Sequence, residues 1–237
     1  SVMLGIGRYG FAAAFILMTS LGMDVMSRVA MPDLLLTLLF SCACFSAMAA
    51  FRQHSPGHWR LGMALLGLSA LIKGPLSIAL FGLILLADYA MTPAHREWLR
   101  KALRDPWAGL LLITPLSLWL LAIEWRQPGS AYYFIVNEHI LRFLGLREPH
   151  DYYSGSVFYY VPRLLLFLFP WAGVFLFGWL SASRKAEPAQ REVRRFLWLC
   201  VGIPFAFFSA SSAKANYYII LCLPAIALLT ADYLPEL

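Results

Sequence analysis

Charge is what this chain has least of. Of its 237 residues only 14% are Asp, Glu, Lys or Arg, against about 25% in an ordinary soluble domain. Hydrophobic residues make up 60% and the mean hydropathy is +0.67. A buried core alone does not account for that balance, so lipid is the solvent over much of the surface. Cysteine is sparse too. Cys42, Cys44, Cys200 and Cys222 sit in apolar runs with neither metal-ligand spacing nor a disulfide framework, and read as small apolar helix residues. No Walker-type loop is present, and no GxGxxG opens a helix after a strand, so the nucleotide-binding signatures are missing. The opening Ser-Val-Met-Leu-Gly-Ile-Gly has no basic n-region and no cleavage site, so it is not expected to be a signal peptide. It reads as the end of a membrane helix, and the 237 residues are expected to be a central fragment. No segment alternates apolar and polar residues as a barrel strand does, which leaves helices as the spanning elements.

What the chain does have is long apolar runs, at roughly 9–23, 33–51, 61–73, 75–90, 107–124, 157–181, 196–210 and 217–234. A spanning helix takes about 20 residues, so the expected fold is an all-α, multi-pass transmembrane helix bundle with about eight membrane segments, forming one domain over 1–237. Aromatics reach 15%, and such side chains favour membrane–water interfaces. Residues 61–90 are interrupted only by Lys73-Gly74-Pro75. As one helix they would be about 45 Å long at 1.5 Å per residue. Basic residues flank both ends: Arg52 and Arg60 before, Arg96, Arg100, Lys101 and Arg104 after. The positive-inside rule puts both flanks on the cytoplasmic side, and Gly-Pro breaks helices. The segment is therefore read as a hairpin with Lys73 at its tip. The net charge of +6 follows from such loops and calls for no nucleic-acid partner.

Residues 93–106 read as an interfacial helix on the cytoplasmic surface. Thr92 is placed to N-cap it and Pro93 to start it, Glu97 and Lys101 form an i,i+4 pair, and Trp98, Leu99, Ala102 and Leu103 make its apolar face. A second basic cytoplasmic loop covers 184–195. On the other side lie the turn with Asp24, Arg28 and Asp33, the tip at Lys73, the long stretch 125–156, and the turn with Lys214. Within the long stretch, residues 134–145 recur at helical spacing with Gly145 as C-cap, predicting a short surface helix. Ionisable groups at membrane depth face a cavity or a partner. Converging cations suit a phosphate-bearing lipid, whose oxygens Arg clamps and Lys meets as a point charge. Mutual pairing or snorkelling of the same charges is the plainer alternative. The aromatic residues around the long loop make either an interfacial belt or a stacking surface for a sugar. Glu138 and His139 are candidate ligands for a divalent metal, although neighbours on a helix point in different directions.

These residues carry a resemblance. The chain resembles the GT-C glycosyltransferases of the bacterial aminoarabinose-transferase and protein-mannosyltransferase type. The matching residues are Arg28-Val-Ala-Met-Pro-Asp33, Lys73-Gly74-Pro75, Glu138-His139 followed by Arg142-Phe143 and Tyr152-Tyr153, and Ser211-Ser-Ala-Lys214 followed by Tyr218 and Pro224. They cover nearly the whole chain in the family's order. Asn216 and Leu221 stand where many members have proline. The resemblance implies transfer of a sugar from a polyprenyl-phosphate-linked donor to a lipid A-like lipid, a glycan or a protein, in the bacterial inner membrane with the active side facing the periplasm. It implies Arg28, Lys73, Lys214 and Tyr218 as holders of the lipid phosphate. Asp33 becomes a catalytic or orienting carboxylate, and Glu138, Arg142, Tyr152 and Tyr153 sugar or acceptor contacts. It also places the family's principal catalytic aspartate upstream of Ser1, so the 237 residues alone are expected to be inactive. A transporter or lipid flippase is the rival reading. It would show broken helices in matching halves, and only Lys73-Gly74-Pro75 supplies such a break.

Overall fold

The computed structural model describes residues 9–149, 155–181 and 187–234. It is helical from end to end, with no β-strand among those residues. The first half runs α1 (Gly10–Thr19), α2 (Leu21–Ser27), α3 (Asp33–Gln53), α4 (Pro56–Lys73), α5 (Leu76–Met91), α6 (Pro93–Ala102) and α7 (Pro106–Arg126). A surface element follows, α8 (Ser130–Tyr132), a π-helical stretch Tyr133–Leu141 and α9 (Arg142–Leu144). The second half holds a 3-10 turn Val157–Tyr159, α10 (Tyr160–Phe167), α11 (Ala172–Ser181), α12 (Pro188–Ala210), a 3-10 segment Asn216–Cys222 and α13 (Leu223–Tyr233).

The sequence punctuates these helices. Proline opens α4, α6, α7 and α12, where its missing N–H costs nothing. Ser55 and Asp105 accept from the first turns of α4 and α7. His54, left-handed at φ 49°, ends α3. Two expectations at α6 need correction. Thr92 occupies the N-cap position, yet its hydroxyl donates to Asp88 Oδ1 at 3.1 Å rather than capping the helix. Leu103 faces outward, and His95 joins Leu99 and Ala102 on the buried face, because Asp88 behind it supplies a partner for the ring. The Glu97–Lys101 pair forms as expected, at 2.7 Å.

Among the described residues, four helices are long and apolar enough to cross a membrane: α3, α7, α12 and the continuous Asn216–Tyr233. Counting each sharply bent pair, α1 with α2 and 157–167 with α11, raises the number to six. Expected segments 61–73 and 75–90, now α4 and α5, are outside that set, so eight is an approximate count for a multi-pass membrane protein. Segment 157–181 is not one straight span, because the chain turns by 104° between Phe167 and Ala172, where Pro170 lies. Along the surface of α7, Leu110, Ile113, Leu118, Leu121 and Trp125 are exposed, as a lipid-facing helix requires. Inside, α3, α4, α12 and α13 bury Leu36, Phe40, Met48, Leu66, Phe196 and Ile226. Small residues let these helices close up. A Cβ added at Gly67 of α4 would lie 2.8 Å from the carbonyl oxygen of Leu112 on α7.

Candidate functional site

The helix break at Lys73-Gly74-Pro75 builds the site. Gly74 has φ 61°, a left-handed value that glycine adopts without a Cβ penalty, and Pro75 stands at the N-cap position of α5. Ser69 Oγ donates to Ser77 Oγ at 2.8 Å, across a separation that would be about 12 Å in a straight helix. The chain therefore turns sharply here. Lys73 points inward and forms an ion pair with Asp33, the first residue of α3. Asp33 is only 3% exposed. The lysine Nζ also lies 4.7 Å from the ring centre of Tyr217 and 4.9 Å from that of Tyr218, a cation–π arrangement. Three elements distant in sequence thus meet at one ammonium.

Facing it is a cavity of about 730 Å³. Ile72, Leu76, Ala79, Phe134, Phe143 and Phe207 give it an apolar wall; Lys73, Glu138, His139, Arg142, Tyr217 and Tyr218 supply its polar groups. The opposite wall is the π-helical stretch, a distortion often found at functional sites. Three consecutive residues of that stretch have three different partners. Asn137 is buried and pairs with the backbone of Glu148 twice, donating to its carbonyl at 2.6 Å and accepting from its N–H at 3.1 Å. Glu138 accepts from Arg147 at 2.7 and 2.9 Å and from Arg142 at 3.3 Å. Burial pushes the Glu138 carboxyl up, but hydrogen bonds from Arg147 and Tyr133 and the charges of Arg147 and Arg142 outweigh it, holding the group below the usual range. His139 places Nδ1 2.6 Å from the carbonyl oxygen of Phe134 and Nε2 2.8 Å from that of Lys73. The helical periodicity over 134–145 corresponds to the π-helical stretch and α9, and Gly145 follows them at φ 76°.

Of the site residues expected from sequence, Lys73, Tyr218, Glu138, His139 and Arg142 line this cavity, with Asp33 paired to Lys73. Arg28 is elsewhere. Its side chain is 76% exposed and pairs with Asp24 at 2.9 Å. Lys214 is also off the cavity wall. It is buried, and its ammonium donates to the carbonyls of Phe208 at 3.0 Å and Ser209 at 2.7 Å, in the last turn of α12. Helix-end carbonyls attract cations, and Lys214 meets two of them. Tyr152 and Tyr153 lie outside the described residues. A metal between Glu138 and His139 finds little support, since their carboxylate oxygens and ring nitrogens already have protein partners. Among the described residues no group of three His, Cys, Asp or Glu is placed to hold a metal ion. Sequence reasoning missed Tyr217 and Asn137, while Arg147 was among the basic residues it placed on the non-cytoplasmic side. The available signals were the Tyr-Tyr doublet and the run Asn137-Glu138-His139 inside an apolar stretch.

The comparisons with known proteins point one way. The family model for Dolichyl-phosphate-mannose-protein mannosyltransferase matches residues 3–125. An undecaprenyl phosphate-alpha-4-amino-4-deoxy-L-arabinose arabinosyl transferase of Pectobacterium carotovorum subsp. carotovorum (strain PC1) is 30% identical over 97% of the chain, and 41% of that relative is covered. The enzyme of that name from Pseudomonas aeruginosa (strain UCBPP-PA14) is 35% identical over 74% of the chain and 31% of its own length. Crystal structures of ArnT from Cupriavidus metallidurans superpose over almost all of the chain. The form bound to undecaprenyl phosphate has a TM-score of 0.76 at 26% identity, covering 99% of the chain and 44% of that protein. The apo form gives 0.78 at 25% identity, covering 100% and 43%. The chain therefore spans less than half the length of these relatives.

Proposed function

The chain belongs to the dolichyl-phosphate-mannose-protein mannosyltransferase family, and on that premise we propose that it forms the lipid-phosphate site of a glycosyltransferase. The donor is a polyprenyl-phosphate-linked sugar, of the kind named in the arabinosyl transferase relatives. The acceptor is a hydroxyl group of a lipid, glycan or protein. The membrane is a bacterial inner membrane and the cavity opens toward its outer face, since most basic residues sit in the loops assigned to the cytoplasm.

One observation carries this reading: a cavity of about 730 Å³, largely apolar, holds Lys73 and Arg142 on its lining. An isoprenoid chain suits the apolar wall, and a phosphate suits the cations. In the transfer, the bond between the anomeric carbon and the phosphate oxygen breaks and its electron pair stays on the phosphate. The acceptor oxygen bonds to the anomeric carbon and gives up its proton to a base. Lys73 and Arg142 stabilise the charge that develops on the departing phosphate. Asp33 aims Lys73 and the rings of Tyr217 and Tyr218 flank it. Both carboxylates at this end are committed to cations, so neither is assigned as the base.

Sugar transfer by the full-length protein tests the proposal. Lys73→Ala and Arg142→Ala are each expected to lower kcat/KM at least a hundredfold, an effect of about 2.7 kcal/mol or more on the transition state. Transfer within threefold of wild type in both variants refutes it.

A further inference from the structure

Outside the cavity, the start of α10 is clasped to the 3-10 segment. Tyr160 Oη donates to the carbonyl of Ala215 at 3.1 Å and accepts from its N–H at 3.2 Å. Tyr159 Oη donates to Asn216 Oδ1 at 2.7 Å, and Arg163 Nε donates to that same oxygen at 2.5 Å. Arg163 Nη1 also donates to the carbonyl of Tyr159 at 2.8 Å, and the guanidinium carbon lies 3.4 Å from the centre of the Tyr159 ring. That ring is hemmed in. Tyr160 packs edge-on to it at 5.0 Å, and a Cβ added at Gly155 would fall 2.7 Å from its Cδ2. The arginine is therefore held in one orientation.

A guanidinium carries five N–H donors. Asn216 and the Tyr159 carbonyl use two of those on Arg163. The other three, one on Nη1 and both on Nη2, meet no acceptor among the described residues. Arg28, Arg60, Arg142, Arg147 and Arg194 each pair with a carboxylate; among the described residues Arg163 has none. A fixed fork of free donors with an uncompensated charge matches the oxygens of a phosphate. Its surroundings select the source. The 104° turn before α11 means that α10 does not continue that helix's direction. Val161, Leu166 and Phe169 are exposed around Arg163, and Phe158 just ahead of α10 is 76% exposed. In a membrane-spanning chain such side chains meet acyl chains, and a cation beside them lies at headgroup level. We propose that Arg163 is a headgroup site for an anionic phospholipid of the surrounding bilayer: the guanidinium takes the phosphate and the exposed side chains take the acyl chains. Neither Arg163 nor Tyr159 nor Asn216 lines the cavity, so the site is separate and does not rest on the donor reading.

Binding of phosphatidylglycerol and of diacylglycerol with the same acyl chains, measured on the full-length protein in detergent by native mass spectrometry, tests this. Arg163→Gln keeps a donor for Asn216, which protects the clasp, and removes the charge and the fork. It is expected to lower the preference for phosphatidylglycerol at least about fivefold. Arg126→Gln removes an exposed arginine at the end of α7 and should change the preference less than about twofold. An unchanged preference in Arg163→Gln overturns the proposal, and an equal loss in both variants reduces it to diffuse charge. A large excess of inorganic phosphate should leave the lipid bound; full displacement would make this a site for free phosphate and overturn the lipid reading. Undecaprenyl phosphate affinity should stay within about twofold of wild type in Arg163→Gln. A parallel fall would place Arg163 in the donor site and overturn the claim of a second one.

Discussion

The Asp33–Lys73 pair joins the start of α3 to the end of α4, and its two members differ in burial. The Asp33 side chain is 4% exposed and that of Lys73 is 23% exposed. Removing the cation by Lys73→Met strands an almost wholly buried carboxylate, for which about 3–5 kcal/mol is the usual cost. Removing the anion by Asp33→Asn leaves an ammonium with partial access to water and two tyrosine rings within 5 Å. That change should cost only about 1–2 kcal/mol. The double variant strands nothing, and should be less damaged than Lys73→Met alone. Thermal unfolding of the full-length protein in detergent should show Lys73→Met clearly below wild type, and Asp33→Asn partly restoring it. Additive losses in the cycle would show that the two side chains do not interact, and would refute the account of how Lys73 is aimed.

Three further outcomes follow from other parts of the fold. His95 on α6 lies between Asp88 at 2.6 Å and Glu192 at 3.0 Å. Burial lowers the pKa of its ring, but the hydrogen bonds and charges of these two carboxylates outweigh it, so the folded value is raised above the ordinary one. A raised value means stability that is complete below about pH 6.5 and lost as pH rises through the folded pKa. Melting temperature should accordingly fall on going alkaline in wild type and lose that slope in His95→Gln; a parallel slope in both removes His95 as the cause. Gly67→Leu, forced against the carbonyls of Leu111 and Leu112, should separate α4 from α7 and cost more than about 3 kcal/mol, measured as lost folded yield. Lys214→Met should lower stability by about 1–3 kcal/mol through its stranded carbonyls, yet leave undecaprenyl phosphate affinity within threefold. A tenfold loss of affinity would return Lys214 to the phosphate site.

Much of this was legible because the membrane makes composition informative and because Gly and Pro mark breaks with a definite geometry. Lys73-Gly74-Pro75 announced a turn that the structure contains. The cavity residues Glu138, His139 and Arg142 were visible as polar groups in an apolar loop. What was hidden depended on partners distant in sequence. Whether a basic residue meets a phosphate or a helix end is decided by which carbonyls surround it, and Lys214 meets those of Phe208 and Ser209. Arg28 had a carboxylate one turn away in Asp24, and local pairing won. The bend within 157–181 was masked by an apolar run that reads the same straight or folded. His95 gave no sign of its burial, since its partners Asp88 and Glu192 are set by tertiary packing.

The central claim is that the cavity beside Lys73 and Arg142 recognises a lipid by its phosphate. The most direct test is the ratio of undecaprenyl phosphate to undecaprenol affinity for the purified full-length protein, measured in wild type, Lys73→Ala and Arg142→Ala. The account predicts a strong preference for the phosphate in wild type, reduced at least tenfold in each variant while undecaprenol binding is unchanged. A preference that survives both substitutions would contradict it, and would make these cations structural or part of a transport path.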